Sequence, residues 1–315
     1  MHASPRLCAV VVMAAQSCAL ACAQVRVHSA PLEITHGKPF VMVTVNGRGP
    51  FRFIIDTGTG GEAFVTRALA ARLSLPAAGQ ARLSDPSGQG GQRAPMVLIQ
   101  SLEVAGMEFT GVKAVEHALR DDDGACDGLL GFVLFRHLLL TLDFPNRQMR
   151  LSAGAVEPDG ERTVLPFRMP DGVPIMTMLV GKMRIEAQID SGGTGLSLPE
   201  RAASRLRFEI QPSEFSRGES LSTRFQVKAA RLASDIRVAG YTFGRPFVEI
   251  NPAFPLANFG SCPMQGFALT FDQTNGLVRF ESRQRSQRLA VTPAPLRLEN
   301  TPAPRPPDPA LVPVG

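Results

Sequence analysis

The sequence predicts an all-β fold made of two similar lobes, with a few short helices. Composition is the first reason. The chain has no Trp and one Tyr, yet 29 Gly, 26 Pro and frequent Val, Leu, Ile and Phe, which suits many short strands joined by turns. Length is the second, since 315 residues suffice for two lobes of ordinary size, each with its own core. The third reason is that the chain repeats itself. Gly47 and Gly181 open the segments GRGPFRFIIDTG and GKMRIEAQIDSG, and the same offset of 134 relates Asp56 to Asp190 and Gly58 to Gly192. Val104-Ala105-Gly106 and Phe109 match Val238-Ala239-Gly240 and Phe243 at that offset. After a small length difference, Leu130-Gly131 matches Phe259-Gly260. There LLLTLDFPNRQMRL also matches FALTFDQTNGLVRF, with Asp143 on Asp272 and Asn146 on Asn275.

Each copy follows one plan. Val41–Val45 and Pro50–Ile55 read as strands, with Asn46-Gly47 a favoured hairpin turn between them. The second strand ends in Asp56-Thr57-Gly58. Thr66 can cap a helix over Arg67–Leu73, where Ala and Leu favour helix. In the second copy Pro199 suits the first helical turn, and Glu200–Leu206 continues it. The turn-rich stretch Ser84–Gly91 reads as a hairpin tip, with Met96–Val104 as its returning strand. An apolar run closes at Asp143, Pro145-Asn146 turns the chain, and Gln148–Leu151 is a last strand. The expected organisation is a signal peptide at 1–23, lobes at 24–155 and 163–283, a polar connection over 153–162, and a Pro-rich disordered tail at 284–315.

The ends of the chain speak to location. Arg6 precedes the apolar run Leu7–Ala15, and Ala21-Cys22-Ala23 offers small residues for cleavage before Gln24, the pattern of an export signal. The run is short for a membrane span. The mature chain is expected in the periplasm or outside the cell, either free or lipid-anchored through Cys22. Its two remaining cysteines, Cys126 and Cys262, could form a disulfide or stay as buried thiols. No close Cys/His spacing suggests a metal site. The net charge is +5, but Arg6 and the arginine-rich tail supply most of it. The nearly neutral remainder gives no support to a nucleic-acid footprint. Asp121-Asp122-Asp123 reads as a solvated acidic loop, Asp143 and Asp272 as strand-end groups bonded to turns, and His137 as a core or loop residue.

Two Asp-[Thr/Ser]-Gly tripeptides, each closing an apolar strand at equivalent points of a repeat, carry the chemistry. With Leu129-Leu130-Gly131 and Asn258-Phe259-Gly260 they make residues 38–282 resemble a retropepsin-like aspartic peptidase with two lobes fused in one chain. The second lobe departs from the pattern at Asn258, a position usually apolar. The resemblance implies a two-lobed acid-protease (pepsin/retropepsin-like) fold from an internal duplication. It implies that Asp56 and Asp190 meet as a catalytic pair, that Thr57 and Ser191 cross-link their loops, and that Gly58 and Gly192 permit the tight backbone. It also suggests a flap at the Gly-rich hairpin, with Ser87, Gly88, Gly90 and Gly91 as candidates and the matching region near Arg217–Phe225. That hairpin lacks the Tyr of pepsin-like flaps. Such a pair needs no metal or organic cofactor; its partner is a peptide or protein substrate, and the chain is expected to be a monomer. The alternative is an envelope module of the same fold that binds peptides without cutting them.

Overall fold

The computed structural model describes residues 26–84, 91–118, 126–219 and 224–287. The signal segment with Cys22, the run 121–123, the flap candidates Ser87, Gly88 and Gly90, and residues 288–315 lie outside the described residues. Within them the chain is mostly β-strand, with three short helices, as in an all-β aspartic-protease fold.

Two sheets of like path flank a shared one. In the first half the order is Glu33–Thr35, Lys38–Val45, Arg48–Asp56, Gly128–Gly131, Ala63–Val65, Met107–Glu116, Gly91–Val104 and Ala77–Ser84. The second half repeats it with Ile175–Val180, Met183–Asp190, Ala257–Gly260, Leu196–Pro199, Phe247–Asn251, Arg224–Leu232 and Phe208–Glu219. The Asn46-Gly47 turn joins its strands with φ of 50° and 70°, the conformation for which Asn-Gly is favoured. Asn46 Oδ1 also accepts from Ser101 N at 3.0 Å. Thr66 caps Arg67–Arg72, its hydroxyl accepting from Leu69 N, as its residue type predicts.

Between the halves lies a six-stranded array in the order Val27–Pro31, Gln148–Ser152, Leu139–Asp143, Ala268–Asp272, Leu277–Glu281 and Val164–Arg168. Its central pair is antiparallel, with Thr141 opposite Thr270. They occupy matching places in the segments LLLTLD and FALTFD, and their hydroxyls hydrogen-bond at 2.9 Å. Residues 27–31 are an edge strand of this array.

Several expectations need correction. The halves do not keep separate cores: the main cluster of buried residues draws on both. Phe132 of the first half packs at 5.2 Å on Phe271, and both contact Phe167. Pro199 does not enter a helix but ends a strand opposite Asn251, and the helix that follows covers only Glu200–Ala203. There Ser204 Oγ donates to Arg201 O at 3.0 Å, a local bond that competes with helix continuation. Unexpected helical turns, Phe132–Phe135 and Ser261–Met264, follow the two Gly131 and Gly260 strands. Ser286–Gln287, assigned by sequence to the tail, pairs with Thr242–Phe243, and Gln287 is buried. No disulfide joins Cys126 and Cys262; the Cys126 thiol donates to Gly128 O at 3.1 Å. Exposed His137 sits in a loop.

Candidate active site

Asp56 and Asp190 end equivalent strands, each beside a parallel neighbour that closes in Gly. Asp56 lies opposite Gly131 and Asp190 opposite Gly260. Behind each Asp loop the backbone is too close for a side chain. A Cβ on Gly131 would collide with Gly61 O, and one on Gly260 would come within 2.8 Å of Gly193 O. Phe132 N donates to Thr59 O at 3.0 Å and Ser261 N to Gly193 O at 2.8 Å, so each loop is pinned from below in the same way.

The loops are then locked to each other. Thr57 Oγ1 donates to Ile189 O at 2.7 Å and accepts from Ser191 N at 2.9 Å. Ser191 Oγ donates to Ile55 O at 2.6 Å and accepts from Thr57 N at 3.0 Å. Both hydroxyls are fully buried, and each uses its donor and an acceptor site, so neither is left unsatisfied. A tighter interlock supports it from outside. Gly172, with φ of 78°, abuts Gly60 and Val133, while Gly37, with φ of 84°, abuts Thr194 and Cys262. Each half thus presses a turn against the other half's loop.

This frame brings the carboxylates face to face. A Cβ on Gly192 would overlap the Asp56 carboxylate, and one on Gly58 would overlap that of Asp190. Glycine at 58 and 192 is therefore required by close approach. Asp56 Oδ1 accepts from Gly58 N at 2.8 Å, and its Oδ2 from Thr59 Oγ1 at 2.8 Å. Asp190 Oδ1 accepts from Gly192 N at 3.0 Å and Gly193 N at 2.8 Å; its Oδ2 accepts from Asn258 Nδ2 at 3.1 Å. Burial, and next the facing Asp190, push the Asp56 pKa up to about 7 against the donors Thr59 and Gly58. Two carboxylates at such close range resist carrying two negative charges, which favours the protonated form of Asp56.

Sequence reasoning singled out Asp56, Thr57, Gly58, Asp190, Ser191 and Gly192, and all six stand in this cluster. Gly91 does not; it opens the returning strand of a hairpin whose other arm is Ala77–Ser84. The second half has a like hairpin, Phe208–Glu219 with Arg224–Leu232. Thr59, Gln188 and Asn258 were not singled out for contact with the Asp loops. The signal was present, since the repeat sets Gln188 and Asn258 on Ile54 and Leu129, polar residues in apolar slots beside an Asp. Among the described residues no group of three His, Cys, Asp or Glu could hold a metal ion, and no helix is long and apolar enough to cross a membrane.

No curated protein matches the chain. Residues 41–134, the segment that carries Asp56 and its Gly131 neighbour, match a family described as aspartyl protease.

Proposed function

We propose that the chain is an exported aspartic endopeptidase, with Asp56 and Asp190 as its catalytic residues and two duplicated lobes as its frame. The observation that carries this reading is the buried four-bond lock between Thr57 and Ser191, which serves only to hold two Asp loops against each other. Between the carboxylates a water can be held. The charged member takes its proton as general base, and the water oxygen attacks the scissile carbonyl carbon. The protonated member donates to the carbonyl oxygen as negative charge develops there, and breakdown of the tetrahedral species returns a proton to the leaving amine. On this reading the two facing carboxylates share one proton. An extended peptide, held by main-chain hydrogen bonds as in strand addition, would lie between the two projecting hairpins. The mature protein acts in the periplasm or outside the cell.

The test is cleavage of an unfolded protein mixture from acidic to neutral pH. Asp56→Asn and Asp190→Asn should each lower the rate by at least about 100-fold, the scale of losing one positioned acid or base. Equal activity in wild type and both variants would overturn the assignment. Stable peptide binding by wild type, with no product at any pH, would instead favour the non-cutting module.

A further inference from the structure

The two Asp loops are equivalent in backbone but not in what surrounds them. In the first half Ile54 and Leu129 lie side by side on adjoining strands, and with Phe40 and Cys126 they form a small apolar cluster. Their counterparts in the second half, paired in the same register, are Gln188 and Asn258. Gln188 Nε2 reaches across to Gly58 O at 3.2 Å, and Asn258 Nδ2 donates to Asp190 Oδ2.

A second exchange accompanies the first. Thr59, whose hydroxyl serves Asp56 Oδ2, is matched at the 134-residue offset by Gly193, which has no side chain. A Cβ on Gly193 would collide with Asp190 Oδ2 and come within 2.6 Å of Asn258 Nδ2. The amide thus fills the space where a side chain at 193 would stand. It reaches the oxygen that a hydroxyl serves on the other side.

Resting on the peptidase reading above, we infer that Asn258 is a positioning residue that replaces the missing hydroxyl and holds the shared proton on Asp56, leaving Asp190 as the charged member that receives a proton from water. The chemistry of the donors gives the direction. An amide NH2 can only donate, and it binds an ionised oxygen more strongly than a protonated one, whose remaining acceptor capacity is weaker. The Thr59 hydroxyl can donate or accept, so it serves Asp56 in either state. Reversing the amide would set an acceptor against a carboxylate oxygen, and Asn258 Oδ1 has no hydrogen-bond partner among the described residues that could favour that turn.

The other titratable groups nearby do not oppose this assignment. Asp56 faces Asp190 directly. Glu249, on Phe247–Asn251, abuts Gly195, and burial raises its pKa. The Cys262 thiol, on the turn after Asn258, is raised by burial and by the charge of Glu249, which keeps the thiol protonated.

The experiment compares wild type with Asn258→Leu, which installs the residue type of the first half. It measures the pH dependence of kcat/KM on an unfolded protein substrate, and Tm over the same range. Losing the donor should raise the acidic limb of kcat/KM by about one pH unit, the scale of a hydrogen bond to a charged group. The Tm deficit should be largest near neutral pH and fade as Asp190 becomes protonated, since the lost bond belongs to the ionised form. An unmoved limb with a pH-independent Tm deficit would make Asn258 a packing residue and overturn the inference. Should Asn258→Leu fail to fold, the near-isosteric Asn258→Asp sets a carboxylate against Asp190 and should raise the limb further; an unmoved limb overturns the inference there too. If wild type cleaves nothing, the peptidase reading fails, while the Tm comparison still decides whether the amide serves a charged Asp190.

Discussion

The hydroxyls of Thr57 and Ser191 each hold two backbone groups of the opposite half. Thr57→Val keeps the shape and strips both bonds, leaving Ile189 O and Ser191 N buried without them. It should cost about 2–4 kcal/mol, read by chemical denaturation. One carboxylate outside the site, that of Asp272, should respond to pH in the opposite sense from Asp56. Asp272 is buried, and although that burial pushes its pKa up, donors from Asn275, Val156 and Thr274 outweigh it and hold the pKa below 3.8. Its contribution is full above the unfolded value and is lost as pH falls through the folded one. Asp272→Asn should therefore destabilise at neutral pH and lose its effect in strong acid. Asp56, with its pKa raised from 3.8 to about 7, binds a proton in the folded state that the unfolded chain has released. Stability should accordingly fall as pH rises from about 4 to 7, and cleavage should decline above about pH 7, where the shared proton leaves. Asp56→Asn should flatten that part of the Tm profile. These residues were legible because Asp-Thr-Gly is local and repeated. The amide of Asn258 was visible only as a misfit, since contact with Asp190 depends on two strands that meet 68 residues apart.

At the level of elements, the central strand pair makes the clearest prediction. The Thr141 and Thr270 hydroxyls are buried against each other, so replacing one with Val strands its partner at a cost of about 1–3 kcal/mol. Replacing both removes donor and acceptor together and should cost less than the two single changes summed, a coupling that a double-mutant cycle measures. Strand identity was well predicted by the repeat and by turn chemistry such as Asn46-Gly47. Strand ends were not, because the returning hairpin strand runs from Gly91 to Val104, longer than its apolar stretch, through pairing with both neighbours. The short helices were harder still. Phe132–Phe135 sits in an apolar run whose pattern suits a strand, and only its packing beneath the Asp56 loop bends it. Equivalent elements also carry charges of opposite sign. Arg52 pairs with Glu33 at 2.9 Å in the first half, and Glu186 with Arg168 at 3.0 Å in the second. Register was thus kept while the residues forming each pair were exchanged.

For the whole molecule, the main core drawn from both halves and the shared six-stranded array predict one cooperative unfolding transition, which calorimetry would detect as equal van't Hoff and calorimetric enthalpies. Two well-separated transitions would show that the halves fold independently. The merging could not be read from the sequence, since the repeat says that two units exist but not that Phe132 of one packs on Phe271 of the other. The exchange of turns, Gly172 onto Gly60 and Gly37 onto Thr194, ties the loops together in the same sense. Mirrored contacts of this kind would be available to two identical chains as well. What identical chains could not do is change one side alone. Any Asn placed against one carboxylate would appear against the other, and two obligate donors would favour two negative charges where the chemistry needs a single proton retained. Joining the halves into one polypeptide frees each to drift separately, and the mismatch of Leu129 with Asn258 is the kind of difference that only such a chain can keep.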